Sequence, residues 1–485
     1  MNMRRMKSVA LLIAIFMITG LLFGCADNAG NDGEDNGNIT TKQYDVVVLG
    51  AGAAGLAAAI EAAEGGASVA LLEKLPVTGG STILSGGIVY GTGSKLHEAA
   101  GVEDSVDDLV SYWTERADGK NDPAYLQFVA ERSGETIDWL VDMGVEFGAP
   151  APTGISPVAR AVTSPEHGGG IIRPMEEYAK SKNVEILLQT EATELLKDEN
   201  GAVSGVKAVD KDGNELIVES KAVVIATGGF DRSVELVKEY APQADGHLSF
   251  AGQGNEGDGL LMAKEMGANV LSNGGVIGFR AVEGEVAYTT DVCMLMWMPY
   301  LYVNKDGNRF VNESIDYPIF YEELIKQPEQ VGYLIFDGNT YMEALDKAVE
   351  KGSAFKAATL EELAVAAGID AEQFQATVDN YNEMIANGED TQFGKNVTGH
   401  PAIAKGDFYA VKVIPAILGT MTGIETNLDA EVLDAAGEPI KGLYAAGEVA
   451  NGNFYNKVYP ASGTSIQMCL TFGRVAGSNA ASLAE

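Results

Sequence analysis

Positive charge, cysteine and histidine are what this 485-residue chain has least of. Lys and Arg total 33 against 69 Asp and Glu, a formal net charge of −36. A field of that sign repels a phosphate backbone, so no nucleic-acid partner is expected. It also repels an anionic substrate unless local Lys or Arg offset it. Cys293 and Cys469 lie in apolar surroundings that suit buried thiols, and Cys25 stands apart near the start. There is no CxxCH run and no cysteine cluster, which excludes covalent haem and an iron–sulfur centre. The four histidines, His97, His167, His247 and His400, are far apart, and no metal site is expected. The apolar fraction of 46% places the chain among globular rather than disordered proteins.

Long apolar runs are also scarce. Val9 to Phe23 is the exception, and it falls short of the ~20 residues that a spanning helix needs. Arg4, Arg5 and Lys7 precede it and Gly24 and Cys25 follow, the order of a secretory signal. An ordinary signal or anchor that happens to end in cysteine has the same outline. The run LFGC, Leu22 to Cys25, resembles the lipobox of bacterial lipoproteins. That resemblance implies a signal peptide over 1–24 and lipidation of Cys25, palmitate included. It places a lipid-anchored chain on the extracytoplasmic face of the bacterial cell membrane. The following residues, ADNAGNDGEDNGNITTK, are polar and rich in Gly, Asn and Asp, so 25–43 reads as a flexible tether.

Glycine is abundant, and its placement carries the first chemistry. YDVVVLGAGAAGLAAAIEAAEGG, Tyr44 to Gly66, reads as a buried strand, a glycine turn and a helix. Gly50 permits the tight turn, Gly52 lets a pyrophosphate approach the backbone, and Gly55 lets helix and strand pack closely. Ala53 and Ala54 open the helix whose N-terminus would face the phosphates. The next strand, ASVALLEK, places Glu73 where it can bond ribose hydroxyls, with Lys74 beside it. Strand, turn, helix and acid in register point to a dinucleotide, without separating FAD from NAD.

Later segments make that separation. VTGGSTILSGG gathers Gly79, Gly80, Ser81, Thr82, Gly86 and Gly87 where a bulky isoalloxazine could lie against backbone. KAVVIATGGF ends an apolar strand at Thr227 and Gly228, and GLYAAGEVA carries Gly447 and Glu448. Each piece alone could be a structural turn. In this order they resemble the fumarate reductase/succinate dehydrogenase flavoprotein family over nearly all of Tyr44 to the C-terminus. The resemblance implies an α/β fold, a Rossmann-like (glutathione-reductase-like) FAD-binding domain interrupted by an α+β capping domain. It implies FAD as cofactor, with Ala192, Asp258, Ser465 and Ile466 joining the glycine segments around it. The expected division is 44–271 for the first part of the FAD domain, 272–415 for the cap and 416–485 for the second part. Within it we expect a β-rich excursion turning at Asn200-Gly201 and Asp212-Gly213, and a helix opening near Asp258. The cap should hold a hairpin around Asp306-Gly307 and two amphipathic helices over 359–388.

The catalytic cations of the fumarate reductases are missing. Their arginine follows an RF-NE run; here RFVNES is followed by Ile315, Asp316 and Tyr317, and Tyr317 takes that position. Their upstream threonine–glutamate–arginine cluster falls on VCMLMWM, their histidine on ILGTMTG, and their C-terminal arginine has no match. A dicarboxylate would leave two charges unpaired, so fumarate is a poor expectation, and urocanate becomes doubtful with it. The departures resemble the flavin-dependent 3-ketosteroid dehydrogenases instead: Tyr317 after the RF-NE run, then Tyr459, Pro460 and Gly463, then Phe472 and Gly473 in a helix. That resemblance implies proton transfer by Tyr317, and a ketone oxygen held by the Tyr459 hydroxyl and the Gly463 N–H. Tyr90 is available as a further tyrosine without a clear match. The competing reading makes Tyr317 an ordinary cap residue and YPASG an ordinary turn. Met294, Met296, Trp297, Met298 and Phe454 could line a pocket or fill the cap core.

The expected activity is hydride exchange between flavin N5 and a carbon–carbon bond next to a carbonyl, on an enone or ketosteroid-like substrate. One alternative is reduction of a small unsaturated acid with a rearranged carboxylate clamp, drawing charge from Arg280 or Lys457. Another is a catalytically silent extracytoplasmic flavin- or ligand-binding lipoprotein. There is no second dinucleotide fingerprint and no haem- or FMN-carrying domain in the sequence. The electrons are therefore expected to pass to or from a separate protein, a quinone-linked system or a diffusible carrier.

Overall fold

The structure is a computed structural model that describes residues 39–484 apart from 273, 288–289 and 456–457. The signal, the lipobox with Cys25, and Lys457 lie outside these residues. No helix among the described residues is long and apolar enough to cross a membrane.

Six strands form the central sheet, in the order Glu431–Leu433, Pro439–Ala445, Ala222–Ile225, Val46–Leu49, Val69–Glu73 and Glu185–Leu188. All pairs are parallel except the first. VVVL and AVVI show no polar alternation because both faces of a parallel sheet are covered, and these eight residues are almost wholly buried. The helix Ala53–Glu64 covers the sheet with alanines, and the long terminal helix Thr464–Ala484 packs on it. Gly473 faces the backbone oxygen of Ala54, and a Cβ there would sit 2.4 Å from it.

The β-rich excursion forms a separate four-stranded sheet with Thr190–Lys197, Val203–Asp210 and Glu215–Glu219. Its fourth strand is Thr40–Gln43, paired in parallel with Glu215–Glu219. Four residues read from sequence as tether are thus a strand, because an open sheet edge supplies backbone partners that composition does not reveal.

The cap is built on one long strand, Phe408–Thr420. Val276–Val282, Gly332–Phe336 and Ala354–Ala357 pair with it antiparallel, and Leu248–Ser249 pairs parallel. The boundary expected between 415 and 416 falls inside this strand. Two helices, Leu360–Ala367 and Ala371–Asn387, occupy the stretch read as amphipathic, and a tight turn at Asp306-Gly307 brings Val303 back to Arg309. The buried ion pairs of Arg309 with Glu313 and Asp390, and of Lys395 with Glu313, tie this turn to the rest of the cap.

Candidate functional site

At the carboxyl ends of the central strands lies a cavity of about 390 Å³. Ligands of open α/β sheets bind at such an edge. Gly50 has φ +95°, and a Cβ on it would meet Ala226 O at 2.5 Å. A Cβ on Gly55 would sit 1.8 Å from Gly50 O, so helix and strand touch there through backbone alone. Gly52 is different: a Cβ would meet nothing closer than Gly79 O at 3.9 Å, because it would project into the cavity. This is a cradle that a side chain would fill. Both carboxylate oxygens of Glu73 accept backbone amides, Ala51 N at 2.8 Å and Leu75 N at 2.9 Å. The acid therefore fixes the turn and keeps spare lone pairs at the cavity wall. These groups fit the ADP half of a dinucleotide.

The cavity wall takes in most residues read from sequence: Gly50, Gly52, Ala53, Ala54, Glu73, Lys74, Gly80, Ser81, Thr82, Gly86, Ala192, Thr227, Gly228, Asp258, Glu448, Tyr459, Gly463, Ser465, Ile466 and Tyr317. Four do not line it. Gly55 packs under the turn, Gly79 starts a short helix, Gly87 presses on His167, and Gly447 presses on Ala54. Lys74 and Asp258 are each other's partners, at 2.5 Å, with Glu256 as a second acid on the lysine.

A buried acid pair borders the same wall. Asn255 Nδ2 donates to Asp231 Oδ1 at 2.9 Å and to Glu448 Oε2 at 3.5 Å. Ser249 donates to the other Asp231 oxygen, and Thr420 N donates to Glu448 Oε1 at 2.8 Å. Burial, then the charge of Asp231, raises Glu448; burial raises Asp231 as well. Two adjacent carboxyls in this setting hold a proton between them above the ordinary carboxylate range.

The opposite end of the cavity is aromatic. Tyr317 opens the helix Tyr317–Leu324 in the cap, and Tyr459 precedes the terminal helix. Their rings lie 6.1 Å apart, with Trp297 edge-on to Tyr317 at 6.0 Å and Tyr455 at 5.8 Å from Tyr459. Tyr112 donates to Pro460 O at 2.9 Å and Thr153 to Ser462 O at 3.2 Å, which pins the turn. Burial raises the Tyr317 hydroxyl well above its ordinary value, with Tyr459 and Asp316 adding to the shift. Burial pushes Tyr459 up to about 12, opposed by the amides of Ser465 and Gly463 and by the Tyr317 hydroxyl.

One expected geometry differs. Gly463 N donates to the Tyr459 hydroxyl at 3.2 Å, and Ser465 N to the same oxygen at 3.4 Å. Gly463 takes a positive φ of +97°, and a Cβ on it would meet Ile88 Cγ2 at 2.8 Å, so this turn is built for glycine. The two groups thus act in series, and the amides leave the Tyr459 proton free to be donated. In the same way Ser465 reaches Tyr459 rather than standing alone at the helix start.

Several expected neighbours lie elsewhere. Tyr90 is fully buried among Tyr112 and Trp113, away from the cavity. Arg280 packs in the cap core, with Nε on Met296 O and the Tyr302 hydroxyl. Met296 and Phe454 are core residues, and Met294 is exposed; of the aromatic–methionine set only Trp297 lines the cavity. The sequence reading missed Asn255, Ser462, Phe250, Phe279 and Leu418, which also line it. Alternation along Val276–Val282 could have marked Ile277 and Phe279 as sharing one face.

Comparison with known proteins follows from this geometry. A family described as FAD binding domain matches residues 45–466. The chain is 32% identical to the NADH:fumarate oxidoreductase of Klebsiella pneumoniae, over 95% of this chain and 49% of that one. It is 34% identical to the urocanate reductase of Eggerthella lenta, over 92% of this chain and 75% of that one. Among solved structures, a 3-ketosteroid-Δ4-(5α)-dehydrogenase from Rhodococcus jostii is similar with a TM-score of 0.75 and 28% identity, covering 91% of this chain and 97% of that one. The chain spans about half the length of the first of these relatives.

Proposed function

We propose that this chain, which belongs to the FAD binding domain family of flavoprotein oxidoreductases, acts on a carbon–carbon bond next to a carbonyl, with an enone or ketosteroid-like compound as substrate. FAD supplies the two-electron hydride exchange. The observation that carries the reading is the pairing of Tyr317 with Tyr459 in the wall of the cavity that holds the glycine cradle. Tyr459 donates its proton to the substrate oxygen, while Gly463 and Ser465 hold the tyrosine oxygen and position it. Tyr317 gives a proton to carbon in reduction and takes one in oxidation. The aromatic end, with Trp297, Phe279 and Ile277, excludes water from an apolar substrate body.

Relatives named for fumarate and urocanate favour an acid as the alternative substrate. Against it, Lys74 is the one Lys or Arg among the described wall residues, and it is already paired with two acids. A catalytically silent binding protein is disfavoured by the presence of both tyrosines at one site. We place the chain on the extracytoplasmic membrane face through lipidated Cys25, exchanging electrons with a separate protein or quinone-linked system.

Single-turnover kinetics of Tyr317→Phe and Tyr459→Phe test the assignment. Each variant should bind FAD with an unchanged absorbance spectrum. Each should slow flavin reoxidation by an enone by roughly 100-fold or more, the weight of a positioned proton donor. Full turnover in Tyr317→Phe would remove proton transfer from that residue.

A further inference from the structure

Outside the cavity, one imidazole ties the helix that carries Tyr317 to the turn that ends it. His247 stands just before the strand Leu248–Ser249. The amide oxygen of Gln330 faces its ring, so Nε2 carries the proton and donates to Gln330 Oε1 at 2.8 Å. Nδ1 then accepts the Tyr321 hydroxyl at 3.0 Å. Burial holds His247 below its ordinary value, which keeps the ring neutral at neutral pH. The His247 and Tyr321 rings also meet edge to face, with centroids 5.6 Å apart. Tyr321 lies on Gly278, which stands between Ile277 and Phe279 of the cavity wall. A Cβ on Gly278 would sit 2.3 Å from the tyrosine ring, so glycine at that position leaves the slot the ring fills. Past the helix, Glu329 and Gln330 both take positive φ, +55° and +56°, a conformation uncommon outside glycine. The hydrogen bond to His247 holds that turn. None of His247, Tyr321 and Gln330 lines the cavity.

We propose that His247 is a positioning residue for Tyr317: it grips the helix Tyr317–Leu324 at Tyr321 and the turn after it at Gln330, and so sets where the Tyr317 hydroxyl stands in the cavity wall. This rests on the assignment of proton transfer to Tyr317. Tyr317 and Tyr321 are one helical turn apart, so they share a face of the helix. The helix is short and is held from two sides. Phe320 and Leu324 sink into the cap core with Leu334 and Phe336. Tyr321 instead joins the cluster of Leu236 and Leu260 from the FAD-binding part. Apolar contacts of this kind set how deep the helix sits but are non-directional, so they leave it free to turn or slide. The hydrogen bonds to His247 are directional and remove that freedom. The precision matters, because a displacement of about 1 Å at a reacting group can cost ~100-fold in rate.

The test uses the FAD-loaded enzyme and His247→Phe, which keeps an edge-on ring without its nitrogens. Tyr321→Phe, which keeps the ring on Gly278 without its hydroxyl, serves as the second variant should the first fail to fold. Each should slow the limiting rate of anaerobic flavin reoxidation by an enone by about 10-fold. The enone concentration at half that rate should change by less than about twofold, and the flavin spectrum should be unchanged. Added to Tyr317→Phe, either substitution should cost less than about twofold further, because the group it positions is gone. Imidazole nitrogen NMR reads the grip without turnover. The His247 signal, assigned by its absence from His247→Phe, should show a single tautomer protonated at Nε2, and its Nδ1 resonance should shift in Tyr321→Phe. Averaged tautomers, a wild-type limiting rate in both variants, a loss confined to half-saturation, or an equal loss with and without the Tyr317 hydroxyl would each overturn the proposal. If Tyr317→Phe is slow while His247→Phe and Tyr321→Phe are not, the positioning role is refuted and proton transfer by Tyr317 stands. If Tyr317→Phe reacts at the wild-type rate, the Tyr317 assignment falls and the positioning role falls with it.

Discussion

Tyr317, Tyr459 and Glu448 show how much a single side chain depends on partners that lie far away in sequence. The resemblance places Tyr317 and Tyr459, and the cavity contains both. Sequence did not show that Gly463 would spend its N–H on Tyr459, because that depends on how the turn between them folds. Nor did it show Asp231 beside Glu448, since the contact forms across Asn255 from a third segment. That pair makes a prediction. The folded state keeps a proton on raised carboxyls that the unfolded chain releases at their ordinary pKa of ~4.3 or below. Between the ordinary and the raised values the folded state binds more protons, so stability falls as pH rises. Glu448→Gln removes the titrating group and should flatten that slope in a series of thermal melts across pH. A slope as steep as the wild type's would assign it to other groups.

The strand–turn–helix element from Val46 to Glu64 was the most legible part of the chain. Its four-residue apolar strand, three spaced glycines and alanine-rich helix each have one physical explanation, and all three agree. The glycines can be separated experimentally. Gly52→Val points a side chain into the cavity without meeting backbone, so the protein should fold, melt near the FAD-free wild type and fail to bind FAD. Gly55→Ala drives a Cβ into Gly50 O and should lower stability by about 1–3 kcal/mol in denaturant melts. Normal flavin content in Gly52→Val would show that the phosphates lie elsewhere. The edge strand Thr40–Gln43 and the long strand Phe408–Thr420 were not legible in this way. The first is polar and gains its order from the sheet edge, and the second runs through the domain boundary that the resemblance suggested.

At the scale of the molecule, one cavity runs from the glycine cradle of the central sheet to aromatic residues of the cap. The net charge of −36 surrounds a wall whose described residues include a single, already paired lysine. Both features favour the proposed neutral carbonyl compound over a dicarboxylate, although fumarate appears in the name of a relative. The most direct measurement is anaerobic: reduce the bound flavin, mix the enzyme with enones, 3-ketosteroids and fumarate in parallel, and follow flavin absorbance. The account predicts rapid reoxidation by an enone or ketosteroid and none by fumarate. Reoxidation by fumarate as fast as by the best enone would contradict it.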